Sequence, residues 1–505
     1  MNHLFNAIIF ICLFLLSPVI LAQNLPIFEE KFESLEKDRL TNGVVGSAIN
    51  LTAEASDRTV LRYDIDHSKW KESFTLMAWV WAEADYEEYK IMDLVVNYAD
   101  STHLKWQLLK QVNNAWASEI QGKDAKLAYK PGFKRQLITK GWNLLSLSFN
   151  AQKEEIAFYY NDLQVAIYSI EDFIPESPAS QISIQIGGDQ KGELGEWETF
   201  NGSIDDIKLY NSSWTRAEVK DYYRQFKLPE IEEHNSKSID TLRIMSYNIW
   251  HGGNETGKGI GYLRIADLIK QSKADIIAIQ ETYGSGAKIA DELGFYFYLR
   301  SSNISIISRY PIAETLPAYK SFHHASASIL IGDKSIVFNS IWLNYPIDYW
   351  GKIDRGEKIE IEKWEIAQYG NKKTLEGIID SLKPALGNSK NAPVIIAGDF
   401  NSGSHLDWIP ATQHMNAGYV MPFPTSQYLE TLGFRDSFRE FSPNLLKNRG
   451  LTWTPANPAT FQDRIDYIYI KNKSVKIVNS YIIDHHPIRY PSDHASLITT
   501  ILLPK

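Results

Sequence analysis

Five short polar motifs, each beside an apolar run of strand length, most constrain what the C-terminal half of this chain can fold into. The motifs are Ser246-Tyr247-Asn248, Gln280-Glu281-Thr282, Gly398-Asp399-Phe400-Asn401, Arg464-Ile465-Asp466-Tyr467 and Ser492-Asp493-His494. The apolar runs are Leu242–Met245, Ile276–Ile279, Val394–Ala397, Ile465–Ile470 and Ala495–Leu503. Runs of this kind are typical of buried strands. Polar groups placed where buried strands end predict one site assembled from distant segments.

The five motifs supply carboxylates, side-chain amides and one histidine, a set typical of metal-assisted cleavage of phosphate esters. No single motif is specific, but their order and spacing are. On these motifs, residues 241–505 resemble the endonuclease/exonuclease/phosphatase superfamily, which includes DNase I-like nucleases, sphingomyelinases and inositol phosphatases. The resemblance covers about half of the chain. It implies an α/β four-layer sandwich of DNase I-like fold and a metal-dependent hydrolase acting on phosphate ester bonds.

The rest of the pattern in this half agrees with that fold class. Strands alternate with helical patterns, which are predicted over Tyr262–Ser272 and Glu360–Leu382. Alternation of strands and helices around internal carboxylates is typical of sheets covered by helices.

By resemblance, three residues serve a metal ion. Glu281 would hold Mg²⁺ or Mn²⁺, hard cations that prefer oxygen ligands, with help from Asn248 and Asp493. The alternatives are a solvated glutamate at a strand end and a turn-forming asparagine before Gly252-Gly253. The close match of the segment from Asp275 to Glu281 to the family pattern favours the metal role.

Four residues are predicted to be catalytic. Asp399 and Asn401 lie two positions apart, so on extended backbone they face one side. By resemblance Asp399 orients or deprotonates the attacking water and Asn401 steadies the phosphoryl oxygens, while an Asx turn is the alternative. Asp466 interrupts an apolar strand, where an unpaired carboxylate is costly. We predict His494 as its partner, with an Asp466–Arg464 surface pair as the alternative.

The central strand departs from the family pattern. It ends Ile341-Trp342-Leu343-Asn344-Tyr345, where relatives carry a His-Leu-Asp type sequence. Three explanations stay open. Trp342 stacks on a sugar or base, another histidine among His251, His323, His324 and His405 substitutes, or the activity is weak or different. Trp342, Asn344, Tyr345 and His251 are therefore predicted to contact substrate. Further aromatics are expected nearby, at least half of them in the core: Trp250, Tyr349, Trp350, Trp408 and Trp453.

The N-terminal half predicts a different fold class, an all-β jelly-roll sandwich. Short β-rich runs are separated by turn signals such as Asn161-Asp162. The runs are Ser73–Val80, Ile91–Tyr98, Leu104–Gln111, Trp142–Phe149, Glu155–Tyr160, Leu163–Tyr168, Ile182–Ile186 and Gly202–Tyr210. Gly46–Leu51, Phe74–Val80 and Phe200–Tyr210 resemble a laminin G-like/concanavalin A-like domain. That resemblance implies a carbohydrate ligand, and Asp205-Asp206 as ligands of Ca²⁺ or as a structural motif.

The predicted organisation is therefore multidomain. It comprises a signal peptide (1–22), a jelly roll (25–227), a linker (228–240) and the phosphoesterase domain (241–505). A helix is predicted over Thr215–Phe226 with Ser213 as its N-cap. The linker is polar and charged and lacks hydrophobic periodicity.

The first segment, Leu4–Ala22, is almost wholly apolar and predicts a secretory signal peptide cleaved after Ala22. An uncleaved membrane anchor is the alternative, although the run is at the short end of what a spanning helix needs. The single cysteine, Cys12, lies inside it, so disulfides and thiolate metal sites are excluded after cleavage. We expect a secreted or periplasmic protein of bacterial type with no transmembrane span after cleavage.

Charge is divided unevenly between the halves. Residues 1–240 carry 24 Lys and Arg against 36 Asp and Glu, and residues 241–505 carry 28 against 25. Neither half has the strong basic surface of a non-specific DNA binder. Nucleic acid is therefore a disfavoured substrate, and a phosphorylated small molecule, glycan or lipid is preferred. The competing class is a non-catalytic glycan- or phosphate-binding protein that retains the fold.

Overall fold

The computed structural model describes residues 25–55, 58–123, 125–188, 199–231 and 240–504. The predicted signal peptide with Cys12 and most of the predicted linker lie outside the described residues. Among the described residues, no helix is both long and apolar enough to span a membrane.

The N-terminal domain is a sandwich of two antiparallel sheets followed by one helix. Its strands are β1 (Phe28–Glu30), β2 (Leu40–Asn42), β3 (Ser47–Asn50), β4 (Leu61–Ile65), β5 (Phe74–Ala82), β6 (Tyr89–Tyr98), β7 (His103–Lys110), β8 (Trp116–Gln121), β9 (Lys126–Tyr129), β10 (Asn143–Asn150), β11 (Glu155–Tyr160), β12 (Leu163–Ser169), β13 (Ala179–Ile186) and β14 (Gly202–Tyr210). One sheet has the order β2-β3-β14-β5-β10-β11-β12, with β1 also on β14, and the other has the order β4-β13-β6-β7-β8-β9. The predicted jelly-roll class is confirmed.

Strand β5 shows how sequence alternation builds this domain. Phe74, Leu76, Ala78 and Val80 point into the core between the sheets. The intervening Met77 and Trp79 point outward and pack under helix α1 (Arg216–Arg224). Side chains of a strand alternate between faces, so an all-apolar strand must be covered on both sides.

The N-cap of α1 differs from the prediction. Thr215, not Ser213, caps the helix, because its hydroxyl accepts from Glu218 N while the Glu218 carboxylate accepts from Thr215 N. This reciprocal capping box satisfies two backbone donors at the first turn.

The C-terminal domain contains two further sheet regions and seven α-helices within the described residues. Its strands are β15 (Thr241–Asn248), β16 (Ile276–Gln280), β17 (Tyr296–Leu299), β18 (Ile304–Ser308), β19 (Ile312–Thr315), β20 (His324–Ile331), β21 (Lys334–Trp342), β22 (Val394–Asp399), β23 (Arg435–Asp436), β24 (Asp466–Lys471), β25 (Lys476–Ile483) and β26 (Ser496–Leu502). Its helices are α2 (Gly261–Ser272), α3 (Gly286–Leu293), α4 (Tyr349–Asp354), α5 (Ile361–Ser381), α6 (Lys383–Gly387), α7 (Pro424–Thr431) and α8 (Ser437–Phe441). Short 3₁₀ turns lie at Lys37–Arg39, His67–Lys69 and Glu171–Phe173 in the N-terminal domain and at His251–Thr256 and Pro410–Met415 in the C-terminal domain.

These elements form four layers. One sheet has the order β17-β18-β16-β15-β26-β25 and the other β19-β20-β21-β22-β24-β23. Ile276 and Ala278 of β16 point between the sheets, whereas Ile277 and Ile279 pack under α2. Helix α5 covers the outer face of the second sheet. The predicted α/β four-layer class is confirmed.

One sheet crosses between the two domains. Strand β12 pairs in parallel with β17 over Ala166–Tyr168 and Phe297–Leu299, which makes a continuous 14-stranded sheet. Beside this junction, Asp291 accepts hydrogen bonds from the backbone of Lys134 (3.0 Å) and from the side chain of Gln136 (3.2 Å). The domains are therefore joined by backbone pairing as well as by the predicted linker.

Candidate active site

The strand registers bring the predicted motifs to one edge of the sandwich. Asn248 at the end of β15 lies opposite Gln280 of β16, directly before Glu281. In the facing sheet, Asp399 of β22 lies opposite Asp466 of β24 and opposite Trp342 of β21. Residues in register point to the same face, so Trp342, Asp399 and Asp466 share one side of their sheet.

Glycine 398 is required by the close approach of the two central strands. A Cβ at this position would lie 2.0 Å from the carbonyl oxygen of Ile341, which no real side chain tolerates. The glycine directly before Asp399 thus lets β22 pack tightly beside β21.

A buried row of charged groups forms the centre of the site. His494 Nδ1 lies 2.9 Å from Asp466 Oδ2, and His494 Nε2 lies 3.9 Å from Asp399 Oδ2. Burial alone would lower the pKa of His494, but the carboxylates of Asp466 and Asp399 outweigh it and raise that pKa well above its ordinary value. Burial raises the pKa of Asp399 to about 7, against the opposing effect of His494. The structure thus contains the predicted Asp466–His494 pair and extends it to Asp399.

Arg464 is not the partner of Asp466. It is fully buried and pairs instead with Asp407 (2.6 Å) and Asp436 (2.8 Å). The alternative of a surface pair between Asp466 and Arg464 is therefore wrong.

Asn401 is brought to Asp399 by a turn. Its φ of +45° lies in the left-handed region. The backbone is therefore not extended at Asn401, in contrast to the prediction from the spacing of the two residues. Asn401 donates to Asp399 from its backbone N (2.8 Å) and from its side-chain Nδ2 (3.1 Å). An Asx turn, the alternative to extended backbone, therefore places the two groups together.

Asn248 connects the two sheets at the site. Its Nδ2 donates to Glu281 Oε1 (3.2 Å) and to Asp399 Oδ2 (3.1 Å). Its Oδ1 accepts from the backbone N of Trp250 at 3.1 Å. Asn248 therefore cross-links the predicted metal carboxylate and the predicted catalytic carboxylate.

Glu281 and Asp493 form a suitable cradle for a divalent cation. Burial, together with the neighbouring carboxylate of Glu281, raises the pKa of Asp493. Asp493 Oδ1 is buried without a hydrogen-bond partner. Two neighbouring carboxylates, one with an orphaned buried oxygen, match the hard oxygen ligands that Mg²⁺ and Mn²⁺ require. The residues present fit such an ion.

A second grouping of ligand-type atoms differs from this predicted set. Asp399, Asp466 and His494 offer ligand atoms that lie within 4.8 Å of one another. His494 Nδ1 is already engaged with Asp466, so this grouping is held together by its own hydrogen bond. These three residues form the buried charged row, and Glu281 and Asp493 remain the carboxylates predicted to bind the cation.

Several residues that brace the site were not predicted. Ser492 donates to the carbonyl of Asn248 (2.6 Å) and accepts from His494 N (3.0 Å), so it ties β15 to the histidine. Thr452 accepts from the backbone of Ile465 and Asp466. The position of Ser492 in its motif was a usable signal, whereas Thr452 has none in the sequence.

Within the described residues of the C-terminal domain, five of the seven non-glycine residues with positive φ lie around the site. Non-glycine residues with positive φ include Trp250 (46°), His251 (51°), Glu281 (59°), Tyr283 (34°) and Asn401 (45°). Each costs about 1–3 kcal/mol and persists only where the surroundings enforce it. Such clustering is typical of functional sites.

Comparisons with known proteins relate each half of the chain to a family. The model of the Endonuclease/Exonuclease/phosphatase family matches residues 245–494. The C-terminal domain belongs to this family. The model of the Concanavalin A-like lectin/glucanases superfamily matches residues 59–220. The endonuclease/exonuclease/phosphatase domain thus has a phosphoesterase/nuclease fold and follows a concanavalin A-like domain.

The individual relatives are distant. An uncharacterized protein of Caenorhabditis elegans is 27% identical over 284 residues, which cover 50% of this chain and 88% of that protein. An endonuclease/exonuclease/phosphatase structure from Beutenbergia cavernae is 16% identical, covers 53% of this chain and 72% of that chain, and has a TM-score of 0.36. An AP endonuclease structure from Archaeoglobus fulgidus is 17% identical, covers 51% and 98%, and has a TM-score of 0.35.

Of the four histidines considered as substitutes in the endonuclease/exonuclease/phosphatase domain, two lie beside the site. His251 donates its backbone N to Glu281 Oε2 (2.9 Å), and His323 stacks on Trp342 with centroids 5.9 Å apart and planes 19° apart. His324 is a core residue bound to Asn339, and burial lowers its pKa to about 4. His405 pairs with Ser426 and Glu430, beside a separate cavity of about 560 Å³.

The predicted aromatic residues are divided between the core and the surface, as expected for a set of which at least half lie in the core. Tyr349, Trp350 and Trp408 are buried, whereas Trp250 and Trp453 are partly exposed and Tyr345 is 46% exposed. Asn344 is exposed, and its carbonyl accepts from Asn371. Tyr345 stacks on Trp350, and Trp342 contacts Phe322 and His323.

In the concanavalin A-like domain, Asp205 and Asp206 have structural partners. Asp205 Oδ2 accepts from the backbone N of Val44 (2.6 Å) and Val45 (2.8 Å). Asp206 Oδ2 accepts from Lys208 and from Tyr222 Oη. Asp205 therefore ties Val44 and Val45 to β14, and Asp206 ties Tyr222 of α1 to β14. These contacts support the structural alternative, while Oδ1 of each carboxylate is buried without a hydrogen-bond partner, so the Ca²⁺ role stays a prediction.

Proposed function

We propose that this protein is a secreted, metal-dependent phosphoesterase that hydrolyses a phosphodiester or phosphomonoester by in-line attack of water. The observation that carries the proposal is the buried Asp399–His494–Asp466 row, linked through Asn248 to Glu281. This arrangement brings together Asp399 as a base, the cationic imidazole of His494 and the carboxylates that would bind the cation. It suits a reaction in which negative charge develops on phosphoryl oxygens.

Each side chain has a distinct role in the proposal. Glu281 and Asp493 hold the divalent cation, which polarises the phosphate and neutralises its charge when bound. Asp399, whose pKa is raised to about 7, accepts the proton of the attacking water. Asn401 holds the Asp399 carboxylate in place, because its amide donates to Asp399 Oδ2 and to the Leu343 carbonyl. His494, held by Asp466, faces the phosphate as a positive charge.

Substrate preference follows from charge. The near-neutral catalytic half and the acidic N-terminal half favour a phosphorylated small molecule, glycan or lipid over nucleic acid. The concanavalin A-like domain is a candidate carbohydrate binder that would target the enzyme to glycans. Extracellular nuclease activity is the alternative within the same chemistry.

The deciding experiment is hydrolysis of bis(p-nitrophenyl) phosphate and p-nitrophenyl phosphate by the mature chain with Mg²⁺, with Mn²⁺ or with EDTA. We expect turnover with either metal and none with EDTA, and the preferred ester separates diesterase from monoesterase. Metal-independent turnover would contradict the assigned cradle. No turnover of either ester, combined with glycan binding by the intact protein, would support the non-catalytic alternative.

We further expect His323 to assist the leaving group in place of a histidine on β21. Its Nδ1 lies 2.9 Å from the Trp342 carbonyl, which can only accept, so Nδ1 carries the proton and Nε2 stays available. Asn303 links the segment that carries His323 to Glu281, because it accepts from Glu281 N and donates to the carbonyl of Phe322.

Replacing His323 with alanine should therefore lower kcat about 10²-fold for an alkyl phosphodiester. The loss should be much smaller for p-nitrophenyl esters, whose leaving group departs without a proton. His405→Ala is the matched control and should change neither rate. Equal losses for both classes of ester would assign His323 a structural role.

A further inference from the structure

A connected row of aromatic rings lies beside His494. Tyr345 and Trp350 are stacked, with centroids 5.1 Å apart and planes 9° apart. Trp350 contacts Trp453 at 6.1 Å, and Trp453 contacts the His494 ring at 5.1 Å. We call Tyr345, Trp350 and Trp453 the aromatic row. It leads from the catalytic histidine to the protein surface.

Buried Asp463 holds this row in place from behind. Its carboxylate accepts from Tyr349 Oη (2.9 Å), Trp350 Nε1 (3.3 Å) and Trp408 Nε1 (3.1 Å). Its backbone pairs in both directions with that of Trp453, at 3.0 Å and 2.8 Å. Every described partner of its carboxylate is a donor, including the backbone N of Arg464 (2.8 Å), so hydrogen bonds satisfy the buried group.

The exposed end of the row is also fixed. Tyr345 Oη donates to Asp348 Oδ1 (2.7 Å), and the same oxygen accepts from Gly351 N (2.8 Å) at the start of α4. Trp350 is only 4% exposed, whereas Tyr345 is 46% exposed. A rigid, half-exposed aromatic surface binds a flat partner with little loss of conformational freedom.

We propose that the aromatic row binds a ring carried by the alcohol part of the substrate, so that the enzyme prefers phosphate esters of cyclic alcohols to esters of open-chain alcohols. The inference rests on the proposed function, because it takes the phosphate to lie at His494. From there Trp453 is the first ring and Tyr345 the last. The ring is one with a flat apolar face, either a sugar or an aromatic base.

The test is calorimetric binding of phosphate monoesters to the intact Asp399→Asn variant with Mg²⁺, which lacks the proposed base, and hydrolysis is measured separately with the wild type. The probes are methyl phosphate, phenyl phosphate, glucose 1-phosphate and thymidine 5′-phosphate. We expect at least one ring-bearing ester to bind about tenfold or more tightly than methyl phosphate, since stacking of one ring contributes about 1–3 kcal/mol. Tighter glucose 1-phosphate indicates a sugar, and tighter thymidine 5′-phosphate indicates a base.

Variants locate the effect. Tyr345→Ala and Trp453→Ala should reduce the ratio of affinities for the ring-bearing ester and methyl phosphate about fivefold or more. Tyr345 is exposed, so its variant tests the inference even where loss of Trp453 disturbs folding. Tyr369→Ala, an exposed tyrosine on α5, is the matched control. Equal affinities for ring-bearing and methyl esters, or an unchanged preference in Tyr345→Ala, would overturn the inference. Ring-dependent binding without hydrolysis would instead overturn only the proposed function.

Discussion

Replacing His494 with glutamine is expected to lower the rate of phosphate ester hydrolysis about 10³-fold. The imidazole lies between Asp466 and Asp399, and these carboxylates raise its pKa well above the ordinary value. It is therefore a positive charge at the site, and glutamine has similar length but no charge. The measurement is kcat/KM on the preferred p-nitrophenyl ester, with thermal unfolding to verify folding.

Two companion variants separate catalysis from structure. Asp466→Asn keeps a hydrogen-bond acceptor for His494 but removes the charge that stabilises the imidazolium, so a smaller loss is expected. His485→Gln changes an exposed histidine and should leave the rate unchanged. A His494→Gln variant that is folded and retains activity within tenfold of the wild type would remove His494 from the mechanism.

Replacing Glu281 with glutamine is expected to abolish the response to Mg²⁺ and to lower activity about 10³-fold. Glu281 neighbours Asp493, whose Oδ1 is buried without a hydrogen-bond partner and whose pKa is raised by burial and by Glu281. A cation bound by both carboxylates would give Asp493 Oδ1 a partner and would offset the repulsion between the two charges. Glutamine keeps the shape of the side chain but removes half of the charge that attracts the ion.

Thermal unfolding provides a readout that does not depend on turnover. Binding of Mg²⁺ to the folded state at 100 times its Kd adds about 2.7 kcal/mol to the free energy of unfolding. We therefore expect Mg²⁺ to raise the Tm of the wild type and of Glu255→Gln, which changes an exposed neighbour bound to His251. Glu281→Gln should show no such rise. A rise equal to that of the wild type would place the ion elsewhere.

Much of the fold could be predicted because its signals are local. The predicted bounds Glu155–Tyr160 and Gly202–Tyr210 coincide with β11 and β14, where alternation and turn residues agree. Strand β8 was not predicted, since its sequence Trp-Ala-Ser-Glu-Ile-Gln is interrupted by polar residues. Glu119 on this strand is buried only because Lys126 and Lys130 neutralise it. Such pairs form between segments and leave no periodic signal.

The candidate site also combines features that local sequence predicts with features that depend on contacts between distant segments. Asp466 in an apolar strand predicts a buried partner from the cost of an unpaired carboxylate, and His494 is that partner in the structure. The spacing of Asp399 and Asn401 gave the correct neighbours but the wrong backbone, because Asn401 turns into the left-handed region. The choice of His323 among four histidines required the stacking contact with Trp342.

The sequence by itself determined two fold classes, the strands that carry the polar motifs, and the types of group that meet at the site. Those features depend on hydrophobic periodicity and on the cost of burying charge, which act on neighbouring residues. Only the tertiary structure decided the β12–β17 pairing between domains, the bridging of Glu281 and Asp399 by Asn248, and the alignment of the aromatic row by Asp463. These contacts join segments far apart in the chain, and their geometry exists only once the sheets have packed.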